Sequence, residues 1–435
     1  MDPIQTGLLG LGLMFALIGL HVPIGIAMGV AGTIGTAMII GWEPALTLVG
    51  TEPTSAISNE GLGVVALFVL MGNLAFAGGL SSELYRVSQS YLGHRRGGLA
   101  LSTVASCAGF GAVCGSSVAT CATMARIALP EMLQRGYSKA LASGTIAAGG
   151  TLGIIIPPSV VLILYGILTE NSIITLFLAS VIPGLIATAL YALAVAVTVR
   201  LNPDAAPRLP KTPWSERLRT TRDCWAVLVL AIVVAVGIYS GIFTVPEAAS
   251  VGATIAFLLA LLRRRLSMAS FLTSLKDTAS STGLVFIMII GASIFGYFVS
   301  LSGLPEALID AIKGLGLAPI AVIFLLQIMY LIGGAIFDEI ALMILTLPFV
   351  YPLITSMGYD PIWWGVINVV IIELGMIIPP IGINVFVLHG MAKNLPLTTI
   401  YRGVTPFILV DIVRLALLTF LPVLTLWLPR ATGWM

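Results

Sequence analysis

GTLGIIIPP (150–158) and LGMIIPP (374–380) each end a long apolar run in a pair of prolines. Proline lacks an amide donor and clashes with the preceding helical turn, so two in succession stop a helix. In hydrocarbon the freed backbone groups must find new partners, or each costs on the order of several kcal/mol. A chain that breaks helices at membrane depth twice, in matched places, is expected to use the carbonyls it frees.

The rest of the 435-residue chain fits that setting. It is 58% hydrophobic and 9% charged, with a mean hydropathy of +1.07, against about 25% charged residues in soluble domains. Since a spanning helix needs about 20 apolar residues, this predicts an all-α polytopic membrane protein seated in a lipid bilayer. The net charge of +2 is too small to suggest a nucleic-acid partner. Met1–Gln5 holds Asp2 and no Lys or Arg, so the first apolar run reads as a retained helix rather than a removed signal peptide. Cys107, Cys114 and Cys121 lie seven apart on one helix face. Metal or redox chemistry is one reading of them, but no CxxC occurs, and His21, His94 and His389 are scattered. Tight packing of small residues is the expectation, with no transition metal and no cofactor.

Apolar runs separated by charge or turn clusters predict crossings near 4–20, 22–41, 62–80, 139–168, 173–200, 224–242, 245–262, 271–300, 361–392 and 403–429. Two stretches, 98–135 and 315–357, are too long for one crossing and rich in Gly and small polar residues. Both are expected to be re-entrant helical hairpins, entering and leaving on one side, where only protein or a wet cavity can surround irregular backbone.

An internal repeat ties these features together. Adding 222 carries Gly111 to Gly333, Ala119 to Ala341, Pro130 to Pro352, Gly153 to Gly375, and Pro157-Pro158 to Pro379-Pro380. Adding 223 carries Val22-Pro23 to Val245-Pro246 and Gly29 to Gly252. Residues 1–222 and 223–435 therefore read as two copies. The first holds the hairpin near 98–135 and the broken helix near 139–168; the second holds the hairpin near 315–357 and the broken helix near 361–392.

Basic residues give the orientation. Arg95-Arg96, the loop with Arg200, Arg208, Lys211, Arg217, Arg219 and Arg222, and Arg263–Arg265 are expected to face the cytoplasm. Two predicted crossings separate each cluster from the next, so all three share a side. Residues 42–60 carry Glu52 and Glu60 without Lys or Arg and read as an outside loop. Five crossings lie between the hairpins, and an odd number inverts the second copy relative to the first. That is the inverted-repeat plan of a secondary transporter.

In each half a hairpin tip is expected to meet the unwound stretch before the prolines: GSSVAT (115–120) with 149–158, and GGAIFDE (333–339) with 373–380. Ser116, Ser117, Thr120, Thr151 and Asp338 add side-chain oxygens to the freed carbonyls, and oxygen-only cages of low charge suit a hard monovalent cation such as Na⁺. Helix N-termini at the breaks would attract an anion. The alternative is that these Ser and Thr only hydrogen-bond neighbouring helices. Asp338, Glu339 and Glu373 sit in apolar surroundings, where carboxylates are costly and usually functional. Asp338 falls where the first copy has Ser116 and is favoured as a cation ligand. Glu373 reads as a ligand or a protonatable brace, and Glu339 as facing a water-filled vestibule. Arg126 either attracts an anion or pairs with Glu131 or snorkels to the interface. Asp411 and Arg414 read as an i,i+3 pair.

These residues resemble the large membrane subunit of tripartite ATP-independent periplasmic (TRAP) transporters. The resemblance runs along the chain. It rests on GSSVATCATMARIALPEMLQRGYSKALASGTIAAGGTLGIIIPPS (115–159), GASIFGYF (291–298), PPIGINVFVLHG (379–390) and PFILVDIVRLALLTFLP (406–422). It implies an elevator-type carrier of the ion-transporter superfamily kind, in the bacterial inner membrane. Such a carrier couples Na⁺ flow to uptake of an organic acid, a dicarboxylate, sialic acid or similar carboxylate, delivered by a periplasmic substrate-binding protein. It also implies a small four-helix membrane subunit, expected here as a separate chain. One sodium site would use Ser116, Ser117, Gly150, Thr151 and Gly153; a second would use Gly333, Asp338, Glu373, Gly375 and Pro379. Substrate would lie between the tips, with Ser117, Thr120, Arg126 and Asn384 as candidates. The moving body is expected near 97–170 plus 315–392, with the remainder as scaffold.

No nucleotide-binding G-x-x-x-x-G-K-[ST] loop is present, which argues against a primary pump and leaves a carrier that is not an enzyme. A stand-alone sodium/dicarboxylate symporter of related fold is the runner-up, needing no binding protein. A channel or a purely structural subunit has no evident need for paired broken helices.

Overall fold

A computed structural model describes residues 2–435, which are helical throughout, with no strand among them. In chain order, α1 (Pro3–Gly19), α2 (Ile24–Ile40), α3 (Trp42–Ser58), α4 (Glu60–Ala77) and α5 (Leu80–Leu92) lead into the helix–turn–helix of α6 (Gly98–Cys114) and α7 (Ser117–Gln134). Then α8 (Lys139–Ile155) and α9 (Val160–Leu168) flank the first proline pair, and the long α10 (Ile173–Leu201) follows. Next come α11 (Trp214–Asp223), α12 (Trp225–Tyr239), α13 (Val245–Leu262), α14 (Met268–Ser302) and α15 (Leu304–Gly314). A second helix–turn–helix, α16 (Pro319–Gly334) and α17 (Glu339–Ser356), is followed by α18 (Pro361–Gly375) and α19 (Ile383–Met391) around the second proline pair. The chain closes with α20 (Leu397–Phe420) and α21 (Val423–Ala431).

Local chemistry sets these bounds. Ser116 caps α7 by accepting from the Ala119 amide at 3.4 Å, and Asp338, 222 residues on, caps α17 through the Ile340 and Ala341 amides. Ser138 and Asp360 cap α8 and α18 at the same shift, through the amides of Leu141 and of Ile362 and Trp363.

Among the described residues seven stretches are long and apolar enough to cross a membrane, and eight if α11 and α12, bent by 51°, form one span. The helices α1, α2, α6, α16 and α18 are apolar but shorter, at 10–17 residues. Three segments differ from expectation, the first being α11, which is helix inside the predicted basic loop. Residues 42–58 form a helix rather than a loop, with Trp42, Leu46 and Ile57 exposed and Ala45 and Ala56 buried, so its apolar side lies along the bundle surface. The terminal apolar run divides at Leu421-Pro422 into α20 and α21, because Pro422 lacks the amide that would continue the first helix.

Buried apolar side chains form two cores. One joins α6–α8, α10, α19 and α20, with Cys107 and Cys121 as small packing residues. The larger runs from α1, α2 and α4 through α9 and α12–α14 to α16–α18.

The three basic segments gather at one end of the bundle. Glu83 on α5 pairs with Arg263 and, at 3.1 Å, with Arg265. Ser90 and Tyr91 hydrogen-bond Thr220 and Thr221, and Arg95 and Arg96 share a cavity with Arg200 and Arg208.

Candidate functional site

The first tip is built by a tight reversal. Gly115 takes φ +64°, which turns the chain from α6 into α7 and leaves the α7 N-terminus pointing at the α8–α9 break. Pro157 and Pro158 leave the Gly153 and Ile154 carbonyls without an amide four residues on. The approach is close: a Cβ on Gly153 would lie 2.6 Å from both the Ser116 carbonyl oxygen and Thr120 Oγ1. Thr120 itself donates to the Ser116 carbonyl at 2.8 Å. Ser116, Ser117, Thr120, Gly150 and Gly153 are thus brought together, and all but Ser116 are buried.

Asn384 arrives from the other half of the chain. Its Nδ2 donates to Ser117 Oγ at 2.8 Å and to the Ala147 carbonyl at 3.1 Å. Its Oδ1 is buried and has no donor among the described residues. A buried amide oxygen without a donor is costly, and it is a natural acceptor for a cation or a hydroxyl at the tip. Asn384 also donates its amide to the Met376 carbonyl at 3.1 Å, stitching the second break to the first tip.

The second break is more fully satisfied. The Gly375 carbonyl accepts from Ile378, and the Ala335 carbonyl from Gly382, both at 3.1 Å. A Cβ on Gly375 would lie 2.6 Å from the Gly334 backbone, so tip and break again touch through main chain. The Gly333 carbonyl already accepts from Ile336 and Phe337. Pro379 is exposed, Asp338 is half-buried at the tip, and its Oδ1 is engaged as the α17 cap. Glu339 is buried, with Oε2 unpartnered, rather than facing a vestibule. Among the described residues no three of His, Cys, Asp and Glu converge as a metal cage.

Two predicted ligands have side chains at least partly committed elsewhere. Thr151 Oγ1 lies 2.8 Å from the Ala148 carbonyl and 3.0 Å from Tyr191 Oη, which leaves its backbone to serve a cation. Glu373 is half engaged: its Oε2 accepts from Arg414 Nη2 at 2.9 Å, while its Oε1 is buried without a partner among the described residues. Arg414 also pairs with Asp411 at 3.0 Å, and Tyr191 Oη donates to Asp411 Oδ2 at 2.5 Å. A fully buried chain of contacts, Thr151–Tyr191–Asp411–Arg414–Glu373, thereby connects the two broken helices through α10 and α20. Tyr191 carried no sequence signal as one aromatic among many. Arg414 did, because a guanidinium in an apolar helix has five N–H donors, more than the one neighbouring carboxylate Asp411 can accept.

Arg126 stands apart from the tip cluster. It is exposed, its guanidinium 5.8 Å from the Phe76 ring centroid, while Glu131 pairs with Arg135 and accepts from Gln89. Arg126→Ala is expected to change uptake by no more than about twofold, the ordinary range of a surface contact. A tenfold rise in substrate KM would instead place Arg126 in the anion path.

Residues 11–424 match the family model of the tripartite ATP-independent periplasmic transporter, DctM component. The chain belongs to that family. It is 32% identical over 405 residues to a C4-dicarboxylate TRAP transporter large permease of Pseudomonas aeruginosa, covering 91% of this chain and 94% of the relative. It is 31% identical over 416 residues to an ectoine/5-hydroxyectoine TRAP large permease of Ruegeria pomeroyi, covering 95% and 96%. Among solved structures, the YdaH transporter of Alcanivorax borkumensis superposes with a TM-score of 0.62 at 15% identity over 88% of each chain, which is a likeness of fold. The permease is a multi-pass inner-membrane protein. Large permeases of this family work with a small membrane subunit and a periplasmic binding protein, and in some the two membrane subunits are fused.

Proposed function

We propose that this permease is a sodium-coupled secondary transporter that takes up an organic acid handed over by a periplasmic binding protein. A separate small four-helix subunit would complete it in the membrane. One observation carries the reading: two capped tips, at Ser116 and Asp338, press through main chain against two proline-broken helices at a 222-residue shift. Freed carbonyls, hydroxyls and one carboxylate suit Na⁺. The positive ends of α7 and α17 suit a carboxylate substrate. The first cation site would use Ser116, Ser117, Gly150, Thr151 and Gly153. The second would use Gly333, Asp338, Glu373 through its unpartnered Oε1, Gly375 and Pro379. Substrate would meet Ser117, Thr120 and Asn384. Relatives named for a dicarboxylate and for ectoine leave the choice of acid to the binding protein in this scheme.

Inverted copies and an elevator motion are part of the proposal. The moving body is drawn wider than 97–170 plus 315–392, to take in α10 and α20. A Cβ on Gly144 would collide with the Gly403 backbone, so α8 and α20 touch main chain to main chain. Sliding there would also break the buried Arg414 pairs, which is far costlier than shearing an apolar face.

The test is uptake into proteoliposomes holding this permease and its small partner, under an inward Na⁺ gradient, with and without the binding protein. Uptake that requires both is expected. Asp338→Ala should then raise the Na⁺ needed for half-maximal uptake at least tenfold. Sodium-driven uptake without the binding protein would instead mark a stand-alone symporter, and unchanged sodium dependence in Asp338→Ala would remove the second site.

A further inference from the structure

At the basic end of the bundle, a cavity of about 460 Å³ is bordered by His94, Arg95 and Arg96 in the α5–α6 turn, by Arg200 at the end of α10, and by Arg208 beyond it. Its remaining wall is apolar: Leu101, Ala196 and Val199. Among the described residues none of the four arginines has a carboxylate within ion-pair distance, whereas Arg263 and Arg265 share Glu83. His94 Nδ1 is buried and without a partner. Burial of the ring, with the positive charges of Arg217, Lys211 and Arg95 around it, holds His94 below the ordinary imidazole range. Positive charge is therefore concentrated here without internal compensation.

A set of guanidiniums beside apolar side chains, at the end of the long apolar helix α10, matches a phosphate head carrying acyl chains. Arginines fork onto phosphate oxygens. Basic pockets between helices on the cytoplasmic side are where anionic headgroups dock. A soluble anion would use the guanidiniums but gain nothing from Leu101, Ala196 and Val199. We infer that this cavity is a binding site for an anionic phospholipid of the cytoplasmic leaflet, its phosphate held by Arg95, Arg96, Arg200 and Arg208 and a chain laid on the apolar wall. The lipid bridges the start of the first hairpin and the end of α10. It is independent of which acid is carried and of sodium coupling.

The experiment is thermal unfolding of the purified permease in mild detergent. It is titrated separately with dioleoyl phosphatidylglycerol, with dioleoyl phosphatidylcholine and with inorganic phosphate. A ligand that binds only the folded state raises the melting temperature in proportion to its saturation. Phosphatidylglycerol is expected to raise it by several degrees, with neither of the other additions matching it. Arg200→Gln/Arg208→Gln should lose at least half of that rise. Arg95→Gln/Arg96→Gln, in the α5–α6 turn, should do the same and serves if the first pair folds poorly. Arg264→Gln, which removes a charge at the same end outside the cavity, should keep it. Equal stabilisation by phosphatidylcholine, or by phosphate alone, would overturn the lipid assignment. So would a full phosphatidylglycerol response in both double variants.

Discussion

Replacing Arg414 with alanine is expected to abolish uptake and to lower the melting temperature of the permease by roughly 5 °C or more. The side chain is fully buried, and its guanidinium holds two carboxylates, Glu373 at 2.9 Å and Asp411 at 3.0 Å. Removing one partner of a buried ion pair costs about 3–5 kcal/mol, because the other is left desolvated and uncompensated. Here two acids are stranded at once, with only the Tyr191 hydroxyl left on Asp411. Arg414→Lys should recover part of the stability, since one ammonium cannot serve both acids with a planar fork. Neutralising the whole set, Glu373→Gln with Asp411→Asn and Arg414→Met, should be more stable than Arg414→Ala alone, as buried ion networks replaced whole are often neutral. Melting curves of the four proteins check this. Arg414→Ala melting within a degree of the unchanged protein would mean that the network holds nothing together.

That network also shows where sequence reading stops. The proline pairs and the glycine-rich tips are legible because each is a local event, a missing amide or a permitted φ, whereas the capping role of Asp338 is seen only in the fold. Their recurrence 222 residues apart then adds weight that no single copy has. Contacts between distant segments leave no such mark. Tyr191 meets Asp411 across 220 residues, and nothing in its own neighbourhood says that its hydroxyl is spoken for. Thr151 reads as a ligand by its place in GGTLGIIIPP, yet its hydroxyl is 3.0 Å from Tyr191, since only the fold fixes which side of α8 faces α10. Charge balance offered a partial route: Glu373 and Arg414 are both costly in an apolar setting, and pairing them relieves both. The helix at 42–58 is hidden in the sequence for a different reason. Acidic residues and two prolines, Pro44 and Pro53, pattern like a loop, but Pro44 lies in the first turn, where no helical donor is lost, and Pro53 is accommodated at the bundle surface.

Gly153→Ala is expected to weaken sodium-dependent uptake more than tenfold while the permease still assembles in the membrane. The added methyl would sit 2.6 Å from the Ser116 carbonyl oxygen and from Thr120 Oγ1. Neither can simply swing away. The Ser116 carbonyl is held by the Thr120 amide at 3.1 Å and by the Thr120 hydroxyl at 2.8 Å, so the start of α7 would have to shift as a unit. Forcing an extra carbon into such packing costs about 1–3 kcal/mol, and a tenfold change needs about 1.4. The cost falls on the contact proposed to hold the cation, so the half-saturating Na⁺ should rise about tenfold while the melting temperature falls by only a few degrees. Gly375→Ala should act alike, its methyl meeting the Gly334 backbone at 2.6 Å. Gly12→Ala and Gly283→Ala, helical positions with open space around the added carbon, are the controls and should leave uptake unchanged. Thr120→Ala added to Gly153→Ala should restore only part of the loss, because the clash with the Ser116 carbonyl remains. If Gly153→Ala kept the sodium dependence of the unchanged protein, the close approach of tip and break would be a packing detail, and the cation would have to bind elsewhere.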